Sequence, residues 1–271
     1  MKTKIYSGMG IAVIIALSIL MALPAGADTI TFYGSGTNTR TGQNLGASAS
    51  FEIVDGNLQV TLTNTGSSVM APSDVLTGIF FNINGNQNLI PGSATLANGS
   101  TVLYGTAPGN VVGGEWAYNT GLEGKTVTIT YEDGTTKSYG TPGAASQGIS
   151  STGLGLFGAG NLFPGPNLQG PDSPDGVQYG LVSGISPNGN AAVTGDNALV
   201  QSSVLFLLSG LQSNFSLDQI SNVWFQYGTA LDEPNIPGNP VPEPATMFLL
   251  GSGLVGLAGY GRKKFHKQTL S

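Results

Sequence analysis

Apolar and polar residues alternate with a period of two through much of the middle of this chain. Leu58, Val60 and Leu62 fall on one side of a stretch whose other side is Gln59, Thr61 and Thr63, the pattern of a strand with one buried face. Ser50–Val54 precedes it across Asp55-Gly56-Asn57, and Asp-Gly predicts a tight hairpin turn because its backbone tolerates positive φ. Thr126–Glu132 and Thr135–Tyr139 repeat the arrangement around Asp133-Gly134, with Val127, Ile129 and Tyr131 alternating with threonines. Val75–Ile83, Ser203–Leu208 and Val223–Tyr227 are more continuously apolar, which predicts central strands or strands covered on both faces. Ser216–Ile220 predicts one helical turn capped by Ser216. Between the two ends of the chain, no stretch sustains the apolar spacing of a helix.

Residues 140–176 break the pattern. They are rich in Gly, Pro and Ser but carry Leu154, Leu156, Phe157, Leu162 and Phe163. Those apolar side chains predict a long loop packed on the domain rather than a free linker between two subdomains. Residues 234–241, Pro-Asn-Ile-Pro-Gly-Asn-Pro-Val, predict an extended spacer that neither pairs nor folds, since proline fixes φ and removes a donor. Short strands joined by Gly/Asn turns give the expected fold class. It is all-β, one antiparallel β-sandwich of jelly-roll or immunoglobulin-like kind over 28–233 with long Gly/Pro loops.

The ends differ in composition. A basic start, Met1-Lys2-Thr3-Lys4, leads into the apolar run Ile11–Leu23, then Pro24 and Ala25-Gly26-Ala27. This is the layout of a secretory signal peptide over 1–27, with Ala25, Ala27 and Asp28 marking the signal peptidase site. This run of 13 residues falls short of the roughly 20 that span a bilayer. At the other end Pro242-Glu243-Pro244 precedes an uncharged apolar segment, 245–261, and then Arg262, Lys263 and Lys264. That segment is just long enough for a transmembrane helix. The basic residues behind it predict a membrane stop on the cytoplasmic side, with the domain facing outward.

Removing the ends changes the charge. Six of nine Lys/Arg lie in them, leaving Arg40, Lys125 and Lys137, while fourteen of fifteen acids remain, so residues 28–241 carry about −11. Nucleic acid is an unsuitable partner for such a surface. The chain has no Cys, and its only His is His266 in the basic tail. A Ser-His-Asp or Cys-His catalytic group is excluded from the middle region. So is a zinc site built on His or Cys.

Pro242-Glu243-Pro244, the glycine-bearing apolar segment (Gly251, Gly253, Gly256, Gly259) and Arg262-Lys263-Lys264 together resemble the PEP-CTERM sorting domain of Gram-negative bacteria. The resemblance covers about 30 residues, 242–271. It implies an exosortase as processing partner, an inner-membrane intermediate, and delivery to the cell surface, outer membrane or extracellular matrix. Blocks such as Gly113–Tyr118, Gly148–Gly155, Phe163–Pro171 and Phe225–Thr229 are similar to those of exosortase-dependent surface proteins. That similarity implies an address and no particular activity.

Carboxylates are the acid/base groups left to consider: Glu115, Glu132/Asp133, Asp172/Asp175 and Asp232/Glu233. A glycosidase needs two of them about 5–10 Å apart in a cleft, but turn chemistry already accounts for Asp133, Asp172 and Asp175. The expectation is a non-enzymatic surface or matrix protein linked to exopolysaccharide and biofilm, without a cofactor. The alternative is a carbohydrate- or calcium-binding adhesive module. In that reading Trp116 and Tyr118 stack on sugar, and Asp172 and Asp175 hold a structural calcium ion.

Overall fold

The computed structural model describes residues 29–85, 87, 89–158, 168, 176–241 and 251–253. In chain order its strands are β1 (Thr29–Thr37), β2 (Asn44–Val54), β3 (Asn57–Asn64), β4 (Leu76–Ile83), β5 (Ile90–Leu96), β6 (Thr101–Leu103), β7 (Ala117–Thr120), β8 (Thr126–Thr130), β9 (Thr136–Gly140), β10 (Gln147–Ser150), β11 (Leu181–Val182), β12 (Leu199–Gln201), β13 (Ser203–Ser209), β14 (Ile220–Tyr227), β15 (Asn235–Pro237) and β16 (Asn239–Val241). A one-turn helix, α1 (Ala191–Thr194), and several 3-10 turns complete the described elements.

Six strands form one sheet in the order β16-β1-β2-β3-β13-β5. A second sheet runs β15-β14-β4-β11-β12-β6, with β10 on β4 and β7 on β10, and β8-β9 stands apart as a hairpin. Among these strands pairing is antiparallel except between β11 and β12, and a lone parallel bridge joins Val69 to Ile185.

Both large sheets contribute to one core. Phe32, Phe51, Val60, Leu62 and Phe206 come from the first, and Ile79, Phe81, Phe225 and Tyr227 from the second. Phe51 meets Phe32 edge-on at 5.8 Å within its own sheet and Phe81 of the opposite sheet at 5.4 Å. β4 is apolar throughout because it is covered twice. Ile79 and Phe81 face the shared core, while Phe80 enters a second cluster with Leu122, Leu154, Leu156 and Phe157. The hairpin contributes Val127 and Tyr139 to the margin of that cluster.

The Asp55-Gly56 turn forms as expected: both residues have positive φ, 49° and 75°, and Val54 pairs with Asn57. The Asp133-Gly134 turn differs. Here β8 and β9 stop at Thr130 and Thr136, and Gly134 N–H closes a turn on the Tyr131 carbonyl at 2.9 Å. Only Gly134 of that pair is left-handed, at φ 78°. The Asp133 carboxylate accepts from Thr135 N–H and hydroxyl at 2.9 and 2.6 Å, which favours the wider loop. The predicted turn at 216–220 is a 3-10 turn, Leu217–Gln219, with Ser216 N–H on Gln219 Oε1 at 3.4 Å.

Two expectations need correction. The 140–176 stretch is not loop throughout, since it contains β10, fully buried between β4 and β7. Its small residues are a packing requirement: a Cβ on Gly148 would stand 2.7 Å from the Phe80 ring. The apolar side chains Leu154, Leu156 and Phe157 are buried, as a packed loop requires, while Leu162 and Phe163 lie outside the described residues. The second correction concerns 234–241, which is paired and not free. Asn235, Ile236 and Pro237 lie opposite Gln226, Phe225 and Trp224. Past Gly238, Asn239, Pro240 and Val241 lie opposite Tyr33, Phe32 and Thr31. One short segment therefore borders both sheets. Its prolines are compatible because β15 and β16 are edge strands, where a missing donor breaks no ladder.

Beside this edge, buried Asp74 ties the 38–43 loop to the start of the second sheet. Its carboxylate accepts from Asn38 Nδ2 at 2.7 Å, Thr41 Oγ1 at 2.6 Å, and the N–H groups of Met70 and Ala71 at 3.0 and 3.2 Å. We expect Asp74→Ala to cost about 3 kcal/mol, because it leaves buried donors without an acceptor. Urea unfolding of parent and variant measures this, and a change within about 0.5 kcal/mol, the size of an ordinary surface substitution, would refute it.

Candidate functional site

Two surface cavities flank β1, and the segment leading to the C-terminal motif lines both. One, of about 530 Å³, lies among Tyr33–Ser35, Asn44–Gly46, Thr65–Ser67, Pro237 and Asn239. The other, of about 430 Å³, lies among Thr37–Arg40, Leu45 and Asp232–Ile236.

The pairing of β16 with β1 also sets where the chain enters and leaves the fold. Thr31 stands opposite Val241 in an antiparallel pair, so the start of β1 and the end of β16 share one end of the edge. Asp28 directly precedes β1 and Pro242 directly follows β16. The two expected processing points thus attach to the same corner of the domain with no intervening spacer. Pro242, Glu243 and Pro244 themselves lie outside the described residues, as do Ala25, Ala27, Asp28, Arg262, Lys263, Lys264, Asp172 and Asp175. Among the described residues no helix is long and apolar enough to cross a membrane. Residues 251–253, within the 245–261 segment, are helical.

Trp116 and Tyr118 do not form a stacking platform. Trp116 is fully buried, its ring 4.9 Å from that of Phe206. Tyr118 is 3% exposed and donates its hydroxyl to Gln147 Oε1 at 2.8 Å; burial pushes its pKa up. The glycines before Trp116 form a 3-10 turn, Gly113–Glu115, that leads into buried β7. They mark a tight turn and not an exposed loop.

Three of the described candidate carboxylates, Asp133, Asp232 and Glu233, are engaged in holding the fold. Asp232 accepts from the Tyr131 hydroxyl at 3.2 Å and lies 3.8 Å from Arg40 Nη2. Tyr131 is also bonded to the Tyr139 hydroxyl. That bond, then burial and the Asp232 charge, raise the Tyr131 pKa. Glu233 accepts from the backbone N–H groups of Thr229 and Ala230. Burial nonetheless raises its pKa, with those bonds opposing. Asp133 is held below the usual carboxylate range by its bonds from Thr135. Among the described residues no group of three or more His, Cys, Asp and Glu side chains stands together to hold a metal.

The paired 234–241 segment and the cavity beside Tyr33 were the features sequence reasoning missed. The isolated Ile236 among prolines was the available signal, since a free spacer has no use for a lone large apolar residue.

Residues 240–263 match the family model of the PEP-CTERM protein-sorting motif. The match begins inside β16, so the sorting signal and the fold overlap by two residues, Pro240 and Val241. No curated protein and no solved structure matches the chain.

Two outcomes follow. Trp116→Ala should lower stability by about 3–5 kcal/mol, as for other buried large aromatics, whereas an exposed ring would change it little; chemical denaturation decides. Glu233 has a folded pKa above its ordinary 4.5, so the folded state holds this proton more tightly than the unfolded state. Its contribution is fully present below the unfolded value and is lost as pH rises through the folded one. The unfolding free energy of the parent relative to Glu233→Gln should therefore fall as pH rises from about 4 to 7. A flat or rising difference would contradict the assignment.

Proposed function

We propose that this PEP-CTERM protein, exported and passed to an exosortase through its C-terminal motif, is a non-enzymatic surface or matrix protein whose two-sheet domain is a β-sandwich displayed outside the inner membrane. The observation that carries the reading is the sorting-motif match at 240–263, beginning within the last strand of the fold. That motif implies exosortase-dependent sorting of a secreted surface protein. In the proposed topology the signal peptide opens the route and is removed by signal peptidase. The 245–261 segment then holds the intermediate in the inner membrane, with Arg262-Lys263-Lys264 on the cytoplasmic side. A link to exopolysaccharide and biofilm is part of the proposal.

A structural role for the domain is supported by its side chains. The region outside the tail lacks imidazole and thiol. Asp74, Asp133, Asp232 and Glu233 each make bonds that fix loops or turns. The second reading, a carbohydrate-binding adhesive module, is favoured by one observation, the cavity beside Tyr33, whose described lining residues carry no charge.

The sorting reading is tested in the producing cell. Glu243→Ala, or deletion of Pro242-Glu243-Pro244, should leave a longer form in the inner membrane, seen by immunoblotting of membrane and surface fractions. Wild-type size and location in both variants would refute it.

A further inference from the structure

The 530 Å³ cavity on the Tyr33 side of β1 is within the size range of small-ligand sites, about 300–1,000 Å³. Its lining is unusual for this chain. Residues 28–241 carry about −11 of charge, yet among the described residues no carboxylate, Lys or Arg lines this groove. Tyr33 is half exposed, at 50%, while its neighbour Phe32 is buried in the core. An exposed aromatic ring offers a flat apolar face with a polar tip. Around it stand Ser35, Asn44, Thr65, Ser67 and Asn239.

Elsewhere on the same sheet, neighbouring hydroxyls bond one another. Thr31 pairs with Ser50 at 2.9 Å and Thr63 with Ser203 at 2.8 Å. In contrast, among the described residues the side chains of Tyr33, Ser35, Asn44, Thr65, Ser67 and Asn239 make no hydrogen bond with one another or with their neighbours; the bonds here involve the backbone. Ser67 N–H donates to the Asn44 carbonyl and Thr65 N–H to the Gly46 carbonyl, both at 2.8 Å. Gly66 N–H donates to Asn64 Oδ1 at 2.9 Å. The wall is fixed at close range, since a Cβ on Gly66 would meet the Asn44 carbonyl at 2.7 Å. A rigid wall lowers the ordering cost of binding.

We propose that this groove binds a neutral, hydroxyl-rich oligosaccharide, with the Tyr33 ring as its stacking face and the surrounding amides and hydroxyls as its donors and acceptors. An acidic glycan would meet no cation there and would be repelled by the domain's net charge. A cationic ligand would find no carboxylate. A peptide adding a strand to the β16 edge would find three residues, one of them Pro240, which has no N–H to offer. The proposal deepens the reading of the domain as a surface module, and its test does not pass through sorting.

The test uses the full-length chain in detergent micelles, titrated calorimetrically with short neutral oligosaccharides of glucose, mannose and galactose, and with an oligouronate. At least one neutral series should bind, and the oligouronate should not. Tyr33→Ala should weaken binding about tenfold or more, and Asn44→Ala should weaken it too. Tyr33→Phe, which keeps the ring, should retain most of the affinity. Tyr104→Ala removes another half-exposed tyrosine outside the groove and should change nothing. Thermal melts confirm that the variants fold, and if Tyr33→Ala does not, Asn44→Ala decides. Absence of binding to every neutral series, preference for the oligouronate, or binding indifferent to the decisive variant would overturn the proposal. A chain that is sorted normally yet binds no sugar refutes this site alone. A chain that binds sugar but ignores loss of the motif refutes the sorting reading alone.

Discussion

The edge-to-face contact of Phe51 with Phe81 is where the two sheets of this protein become one structure. With no cysteine in the chain, the sheets depend on apolar contact between their facing sides. Burial of aromatic side chains dominates such contacts, and each well-set pair adds about 0.5–1.5 kcal/mol beyond its area. Phe32, Phe206, Phe225 and Tyr227 extend the layer around this point. Because Phe51 sits on β2 and Phe81 on β4, the pairing register of both strands is fixed with it. A slip of one residue would turn each ring to the wrong face. The β4 backbone in turn carries β10 and β14, so the positions of much of the second sheet follow from the same contact.

The fold was legible in the sequence wherever period-two patterning and turn chemistry agreed. β2, the Asp55-Gly56 turn and β3 are an example, because both glycine and aspartate adopt the conformation that a two-residue hairpin needs. It was less legible where a tertiary neighbour decided. Asp133-Gly134 has the same letters, but the Thr135 hydroxyl captures the aspartate and widens the loop. Gly148 reads as a loop residue, yet it is small because the Phe80 ring occupies its side-chain space. Trp116 beside two glycines reads as exposed, and the same glycines make the turn that leads it into the core. Pro237 and Pro240 read as breakers of pairing, and on edge strands they are not.

The features that bear on function gather along β1. Its outer edge carries the strand that leads into the sorting motif, one of its flanks holds the Tyr33 groove, and the other holds Arg40 with Asp232. The candidate site was hidden in the sequence because its residues come from three places. Tyr33 and Ser35 lie on β1, Asn44 opens β2 and Thr65 to Ser67 follow β3 beside it, and Asn239 comes from the far end of the domain. None of these forms a motif by spacing. They meet because the 235–241 segment crosses from one sheet to the other.

That crossing has a consequence for how the domain assembles. Thr31 and Val241 face each other although about 200 residues separate them in sequence. A chain that is exported from its N-terminus delivers β1 early and its partner β16 last. Until then the outer edge of β1 presents unpaired backbone groups, the kind of surface that invites strand exchange with a neighbouring chain. Closing so long a loop adds little entropy per further residue, but it makes this pairing among the most non-local in the fold and so a slow one to form. Completion of the sheet edge therefore waits on the segment that leads into the sorting signal, and an incompletely exported chain keeps an open edge.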